Sequence, residues 1–291
     1  MDQPSPAAAE KRPDPPFETR PLAPGIGAEI VGLDLSRPMS DASFAAVERA
    51  WHRHNVLLFR DQTLSEEQEV AFGGRFGPLA QRINKVPTGH VKHPSVMLIS
   101  NLRENGALIG ALPDGEMYFH SDQCYVERPS MAAILYAIEI PSKGGNTLFA
   151  NGYLAYETLP EETKAKLAGK RALNIYDYEN AATTGGEPSD SAPRYVHPVV
   201  RTHPATGRKA LFVNRLMTRE IEGMPREESN KLLRFLFDHQ EQPQFIYEHV
   251  WRPGDLLIWD NRCTLHARTD FDASERRLLR RVAVLGEKPV E

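Results

Sequence analysis

The sequence predicts an α+β protein with a double-stranded β-helix, or jelly-roll, core and flanking helices. Short apolar runs (VMLIS, MAAILYAIEI, NTLFAN, KALFVN, DLLIWDN and RRVAVLG) recur from residue 96 onward, separated by Gly, Pro, Asn and Asp. That rhythm is the signature of an antiparallel β-rich core. Two helical patterns precede the runs and two interrupt them, and no repeat of solenoid period is visible.

The elements follow in order. Residues 1–24 are rich in Pro, Ala and charge and poor in large apolar side chains, so they are expected to form a flexible tail that cannot repay its ordering entropy. A single domain is expected over 25–291. AEIVGLDLS has strand character, and SDASFAAVERAWHRHNVLLFR reads as a helix running into a buried strand, with Ser40 or Asp41 as its cap and Phe44, Val47 and Trp51 at helical spacing. A second helix starts at Ser65, three residues before Gln68 in capping-box spacing, and Gly77 is its expected stop. Helical inserts are expected at LAYETLPEETKAKLAGK and PREESNKLLRFLFDHQ.

The 291 residues, 41% of them hydrophobic, suffice for a substantial core, and a formal charge of -4 argues against a phosphate-backbone partner. No run approaches the roughly 20 apolar residues that cross a bilayer. Two cysteines, Cys124 and Cys263, are too few for a disulfide framework, and no apolar segment of signal-peptide type follows Met1. A soluble cytoplasmic protein with no membrane and no nucleic-acid partner is the expectation.

Candidate chemistry lies in two segments. MYFHSDQCYVERP places His120 and Asp122 two residues apart, which in a strand sets both side chains on one face, about 6.5–7 Å apart at the backbone. DLLIWDNRCTLHARTD supplies His266. Two imidazoles and one carboxylate on one face of an ion leave three adjacent positions open, as oxygen activation with a chelating 2-oxo acid requires and a closed four-ligand zinc site forbids. In SERRLLRRVAV, Arg277 and Arg281 share one side of a strand and Arg276 and Arg280 the other. If Leu279 marks the inner face, two guanidinium groups enter the core and demand partners, and a bidentate carboxylate is one. The alternatives are pairing with protein acids or the opposite strand phase. Arg281, if inward, favours an anionic substrate: sulfonate, carboxylate or phosphonate.

FHSD, PSKGGNTLFAN, HPVVRTHPATGRKALFVN and GDLLIWDNRCTLHARTDF with SERRLLRRV, in that order, resemble the 2-oxoglutarate-dependent taurine and aryloxyalkanoate dioxygenases from about Glu29 to Pro289. The resemblance implies that His120, Asp122 and His266 bind Fe(II), that Arg277 and Thr147 hold the distal carboxylate of 2-oxoglutarate, and that Arg281 lies near the substrate's anionic group. It further implies O₂ as co-substrate, release of succinate and CO₂, hydroxylation of a C–H bond with carbon–heteroatom cleavage where that carbon bears a heteroatom, and a homo-oligomer, dimer or tetramer.

Where the taurine enzymes carry a histidine and a tyrosine after a Phe-Gly pair, this chain has AQRINKVPTGH after Phe76 and Gly77. The substrate reading therefore leans to an aryloxyalkanoate or similar apolar carboxylate, with taurine or an alkylsulfonate as the alternative. Arg82 in that stretch, and Tyr118 and Phe119 beside the metal motif, are candidate substrate contacts. Tyr176, Leu216 and Met217 are candidates for pocket lining or ordinary core. Residues 102–119, with Gly106, Gly110 and Gly115, read as a lid over the substrate or as a solvated loop. His52, His54, His90, His93, His239 and His249 are expected to be surface or structural, and His197 and His203 to support the fold or the iron's surroundings. A zinc hydrolase on the same three ligands, or a non-catalytic jelly-roll binding protein, are the competing classes.

Overall fold

The computed structural model describes residues 17–81, 90–111, 117–177 and 188–291. The chain opens with the hairpin β1 (Glu18–Ala23) and β2 (Ile26–Val31), followed by α1 (Asp41–His54), β3 (Val56–Phe59) and α2 (Glu66–Gly74). Next come β4 (Val96–Ser100), the short pair β5 (Arg103–Glu104) and β6 (Ala107–Leu108), β7 (Met117–His120), β8 (Ala132–Glu139) and β9 (Thr147–Asn151). Helices α3 (Gly152–Glu157) and α4 (Glu161–Leu167) lead into β10 (Arg171–Ile175), β11 (Arg194–Pro198), β12 (Val200–Thr202), β13 (Lys209–Leu211) and β14 (Thr218–Ile221). The chain closes with α5 (Arg226–Gln240), β15 (Ile246–His249), β16 (Leu256–Asp260), β17 (Thr264–Arg268) and β18 (Leu278–Val284). The architecture is mixed α and β, mostly strands with few helices.

Two sheets position the site. The larger has the order β1-β2-β3-β16-β8-β18-β4 and the smaller β15-β9-β17-β7. Strand alternation explains why the larger reads as unbroken apolar runs: it is covered on both faces. Leu57, Phe59, Leu256, Ile258, Val282 and Val284 face α1 and α2 with Val47, Trp51 and Phe72. Val56, Leu58, Leu257, Trp259 and Leu279 face the smaller sheet and pack with its Phe149 and Tyr247. Leu279 thus marks the face toward the smaller sheet, and Arg277 and Arg281, two residues either side, share its phase.

Ser40, not Asp41, caps α1: its hydroxyl accepts from the Ser43 amide at 3.1 Å. The capping box forms as expected, with the Gln68 amide donating to Ser65 Oγ at 3.2 Å and the Ser65 amide to Gln68 Oε1 at 2.7 Å. The helix ends at Gly74, short of Gly77, because Phe76 folds back with its ring 4.9 Å from Phe44, 5.2 Å from Trp51 and 5.4 Å from Phe72. The first insert is two helices, since the proline ring of Pro160 removes the amide that would join them.

The expected tail over 1–24 is corrected at its C-terminal end. Glu18–Ala23 is a strand paired antiparallel with β2, and Phe17 is buried in the core. Backbone hydrogen bonds to a neighbouring strand order this segment without the large apolar side chains whose scarcity suggested disorder. Of the expected lid, residues 103–108 form a small exposed hairpin and Ile109 is buried in the core, while 112–116 lie outside the described residues.

Candidate active site

His120 and His266 meet because β7 and β17 are neighbours in the smaller sheet and pair these two residues directly. Their ring centroids are 4.1 Å apart. Asp122 lies past the end of β7 in a turn where Gln123 has a φ of 56°, so its approach comes from chain reversal and not from the strand alternation that the sequence suggested. The structure brings these three side chains together: His120, Asp122 and His266 each offer a ligand atom, all within 4.8 Å of one another.

The electrostatics suit ligation. Nδ1 of His120 donates to the Tyr118 carbonyl at 2.9 Å, which fixes the proton on that nitrogen and leaves the Nε2 lone pair for the site. Burial lowers the pKa of His120 and, more strongly, of His266, so both rings are neutral donors. Asp122 is held well below the usual carboxylate range: burial pushes it up, and the largest opposing cause is the charge of the Arg281 guanidinium, which also donates a hydrogen bond to it. Its Oδ2 accepts from Arg281 Nη2 at 2.5 Å and from Asn261 Nδ2 at 3.4 Å, and its Oδ1 lies 3.9 Å from His266 Nε2. Asn261 is steered by Trp259, whose Nε1 donates to Asn261 Oδ1 at 2.9 Å.

Arg277 is 1% exposed, and its Nε and Nη1 have no hydrogen-bond partner among the described residues. Its side-chain acceptor among the described residues is the Gly145 carbonyl, 3.3 Å from Nη2. Burial, and then the positive charge of Arg268, push its pKa down to about 9. A buried guanidinium with unused donors is a strong anion site. Gly145 has a φ of 64°, and a Cβ there would stand 3.1 Å from Arg277 Nε, so glycine gives the guanidinium its space. Thr147 is buried at the start of β9, and its Oγ1 accepts from Trp251 Nε1 at 3.0 Å, which leaves the hydroxyl hydrogen free to donate elsewhere.

The inward strand phase therefore holds for both arginines, and the outer phase pairs with acids: Arg280 with Glu69 at 2.9 Å and Arg276 with Glu139 at 2.5 Å. Tyr118 is 49% exposed, and its contribution to the site is its carbonyl. Phe119 is half-buried, and its carbonyl accepts from the Leu216 amide at 3.4 Å. Arg82 lies outside the described residues. Leu216 and Met217 are buried with Cys124 and Phe212, and Met117 and Tyr125 pack against them. Tyr125 stacks on Tyr176 at 4.7 Å.

Trp251, Asn261 and Arg268 escaped the sequence reading. Arg268 was within reach, since it sits two residues beyond His266 and so on the same strand face. His52, His203 and Asp260 form a second cluster with ligand atoms within 4.8 Å of one another. A guanidinium already fills it, because Arg262 donates to Asp260 Oδ1 at 2.8 Å and Oδ2 at 2.7 Å and lies 3.3 Å from His52 Nε2. That network is structural.

The donor set and the unsatisfied Arg277 fit a divalent metal with a chelating diacid, and the comparisons with known proteins agree. The (S)-phenoxypropionate/alpha-ketoglutarate-dioxygenase of Sphingobium herbicidovorans is 33% identical over 95% of this chain and 98% of its own length. The alpha-ketoglutarate-dependent 2,4-dichlorophenoxyacetate dioxygenase of Cupriavidus pinatubonensis is 33% identical over 93% and 98%. Among solved structures, a taurine dioxygenase from Burkholderia xenovorans superposes with a TM-score of 0.80 at 34% identity, covering 95% of this chain and 93% of that one. AAD-2 in complex with Mn(II) and N-oxalylglycine gives 0.79 at 31% identity, covering 94% and 99%. Residues 18–283 match the family described as taurine catabolism dioxygenase TauD, TfdA family, and this chain belongs to it.

Proposed function

We propose that the protein is an Fe(II)- and 2-oxoglutarate-dependent dioxygenase that hydroxylates a small anionic organic substrate. The observation that carries this reading is the pairing of an open three-donor cluster, its histidines on the smaller sheet, with a buried guanidinium that has unused donors and stands just before β18 of the facing sheet. A zinc hydrolase would need the first and has no use for the second.

His120, Asp122 and His266 would hold the metal, and Arg277 with the Thr147 hydroxyl would hold the distal carboxylate of 2-oxoglutarate. When bound, iron and 2-oxoglutarate together reduce O₂, with loss of CO₂ and formation of succinate, and supply the oxidant for a substrate C–H bond. This chain's own residues bind and orient. Tyr118 and Asn261 fix the faces that His120 and Asp122 present, Trp251 aims the Thr147 hydroxyl, and Arg281 offers its remaining donors to the substrate's anionic group. The two sheets, one carrying the ligand histidines and the other the arginines, support the double-stranded β-helix assignment, with the site between them as one domain.

The buried apolar cluster of Cys124, Phe212, Leu216 and Met217 begins two residues after Asp122 and supports a substrate with an apolar body, such as an aryloxyalkanoate. An alkylsulfonate is the second reading, since Arg281 would serve a sulfonate equally. The two buried free cysteines are in keeping with a reducing cytoplasm. Succinate release under air with ferrous iron, screened across aryloxyalkanoates, alkylsulfonates and aliphatic acids, tests the proposal. Oxygen uptake that does not depend on 2-oxoglutarate would sink it.

A further inference from the structure

We propose that Arg268 is a second cation of the 2-oxoglutarate site, gripping with Arg277 the carboxylate farthest from the metal ligands. The proposal rests on the dioxygenase reading and deepens it, because it makes the diacid end of the pocket doubly cationic.

Arg268 ends β17 two residues after His266, so both side chains leave the same face of the strand. Two strand residues advance about 6.5–7 Å, comparable to the reach of an extended five-carbon diacid from a chelated end to a free one. Across the ladder Arg268 is in direct register with Thr147, whose hydroxyl the Trp251 indole turns toward donation. Its guanidinium carbon is 5.6 Å from the centre of the Phe271 ring, and that of Arg277 is 5.9 Å from the same ring. Arg268 is 7% exposed and Arg277 1%.

The two guanidinium groups act on each other, since the charge of Arg268 adds to burial in pushing Arg277 down. A carboxylate set between two such buried guanidinium groups is attracted by both charges. Arg277 keeps two buried nitrogens without an acceptor among the described residues. One carboxylate, with two oxygens and about four lone-pair directions, can accept two N–H bonds from Arg277, one from Arg268 and the Thr147 hydroxyl at once. Arg281, by contrast, is committed to Asp122 near the metal ligands, so the two arginine sites divide the pocket by distance from the metal.

The test uses the metal-free full-length chain, titrated with 2-oxoglutarate and with glutarate, which lacks the chelating keto group, and followed by calorimetry. Butyrate, with one carboxylate, is the control. Arg268→Met and Arg268→Gln are both expected to weaken diacid binding at least tenfold, and Arg268→Lys should fall between them and the parent protein. In the iron-loaded enzyme the same neutral variants should raise KM for 2-oxoglutarate at least tenfold with kcat within about twofold and substrate KM unmoved. Unchanged diacid binding in whichever neutral variant folds, or a rise in substrate KM instead, overturns the proposal while leaving the dioxygenase reading intact. A parent protein that binds no diacid and releases no succinate would overturn both.

Discussion

Arg281 and Asp122 are joined by a 2.5 Å bond from Nη2 to Oδ2, so the arginine expected to meet the substrate also holds the outer oxygen of an expected metal ligand. Substrate binding and metal geometry therefore share one side chain. A charge-assisted hydrogen bond is worth about 1.5–3 kcal/mol, or roughly 10- to 150-fold. Arg281→Gln should raise substrate KM within that range and leave KM for 2-oxoglutarate within about threefold. Steady-state kinetics with each substrate varied in turn would measure this, and an equal rise in both constants would refute the division of labour.

Asp122→Ala removes the one anionic donor of the cluster and strands Arg281, which is only partly solvated. Iron-dependent succinate formation should vanish, and calorimetric binding of Fe(II) or Mn(II) should weaken at least 100-fold. Retention of tight metal binding would mean that the ion sits elsewhere.

Much of this site was legible in the sequence because its groups lie at short, fixed spacings. His266 and Arg281 sit on consecutive strands with Arg277 one residue before the second, and the burial of Leu279 settled the phase that periodicity had left open. What stayed hidden was contact between distant segments. Trp251 meets Thr147 across more than a hundred residues, and Asn261 meets Asp122 only because the turn after β7 folds back. The β1 strand was misread as tail for the same reason: its order comes from β2, not from its own composition.

The Trp251 indole is the only hydrogen-bond partner given to Thr147 Oγ1 by the described residues, and it occupies an acceptor position so that the hydroxyl hydrogen points away from it. Trp251→Phe keeps most of the ring and deletes the donor. A neutral hydrogen bond of about 0.5–1.5 kcal/mol corresponds to roughly 2- to 13-fold, so KM for 2-oxoglutarate should rise by that factor with kcat nearly unchanged. Thr147→Val should give a similar rise, and the double variant should cost less than the two singles combined, since both act through one hydroxyl. Full additivity would show that Trp251 acts by packing alone.

The last prediction concerns stability and pH, and uses a histidine away from the metal ligands. His197 is 1% exposed, donates from Nε2 to the Val126 carbonyl at 2.8 Å, and packs against Phe212 at 5.6 Å. Burial, then the nearby charges of Arg201, Arg171 and Lys288, outweigh that hydrogen bond and push its pKa down to about 4 from the ordinary 6.5. Between those values the unfolded chain binds this proton and the folded protein does not, so stability falls as the pH drops through 6.5 toward 4 and is unaffected above 6.5. At pH 5 the cost is about 2 kcal/mol if the full shift is realised. His197→Gln keeps a donor for the Val126 carbonyl and cannot titrate. Urea unfolding at pH 7.5 and pH 5 should show the stability difference between the two conditions shrinking by about that amount in the variant. An identical difference in both proteins would mean that His197 titrates normally in the fold.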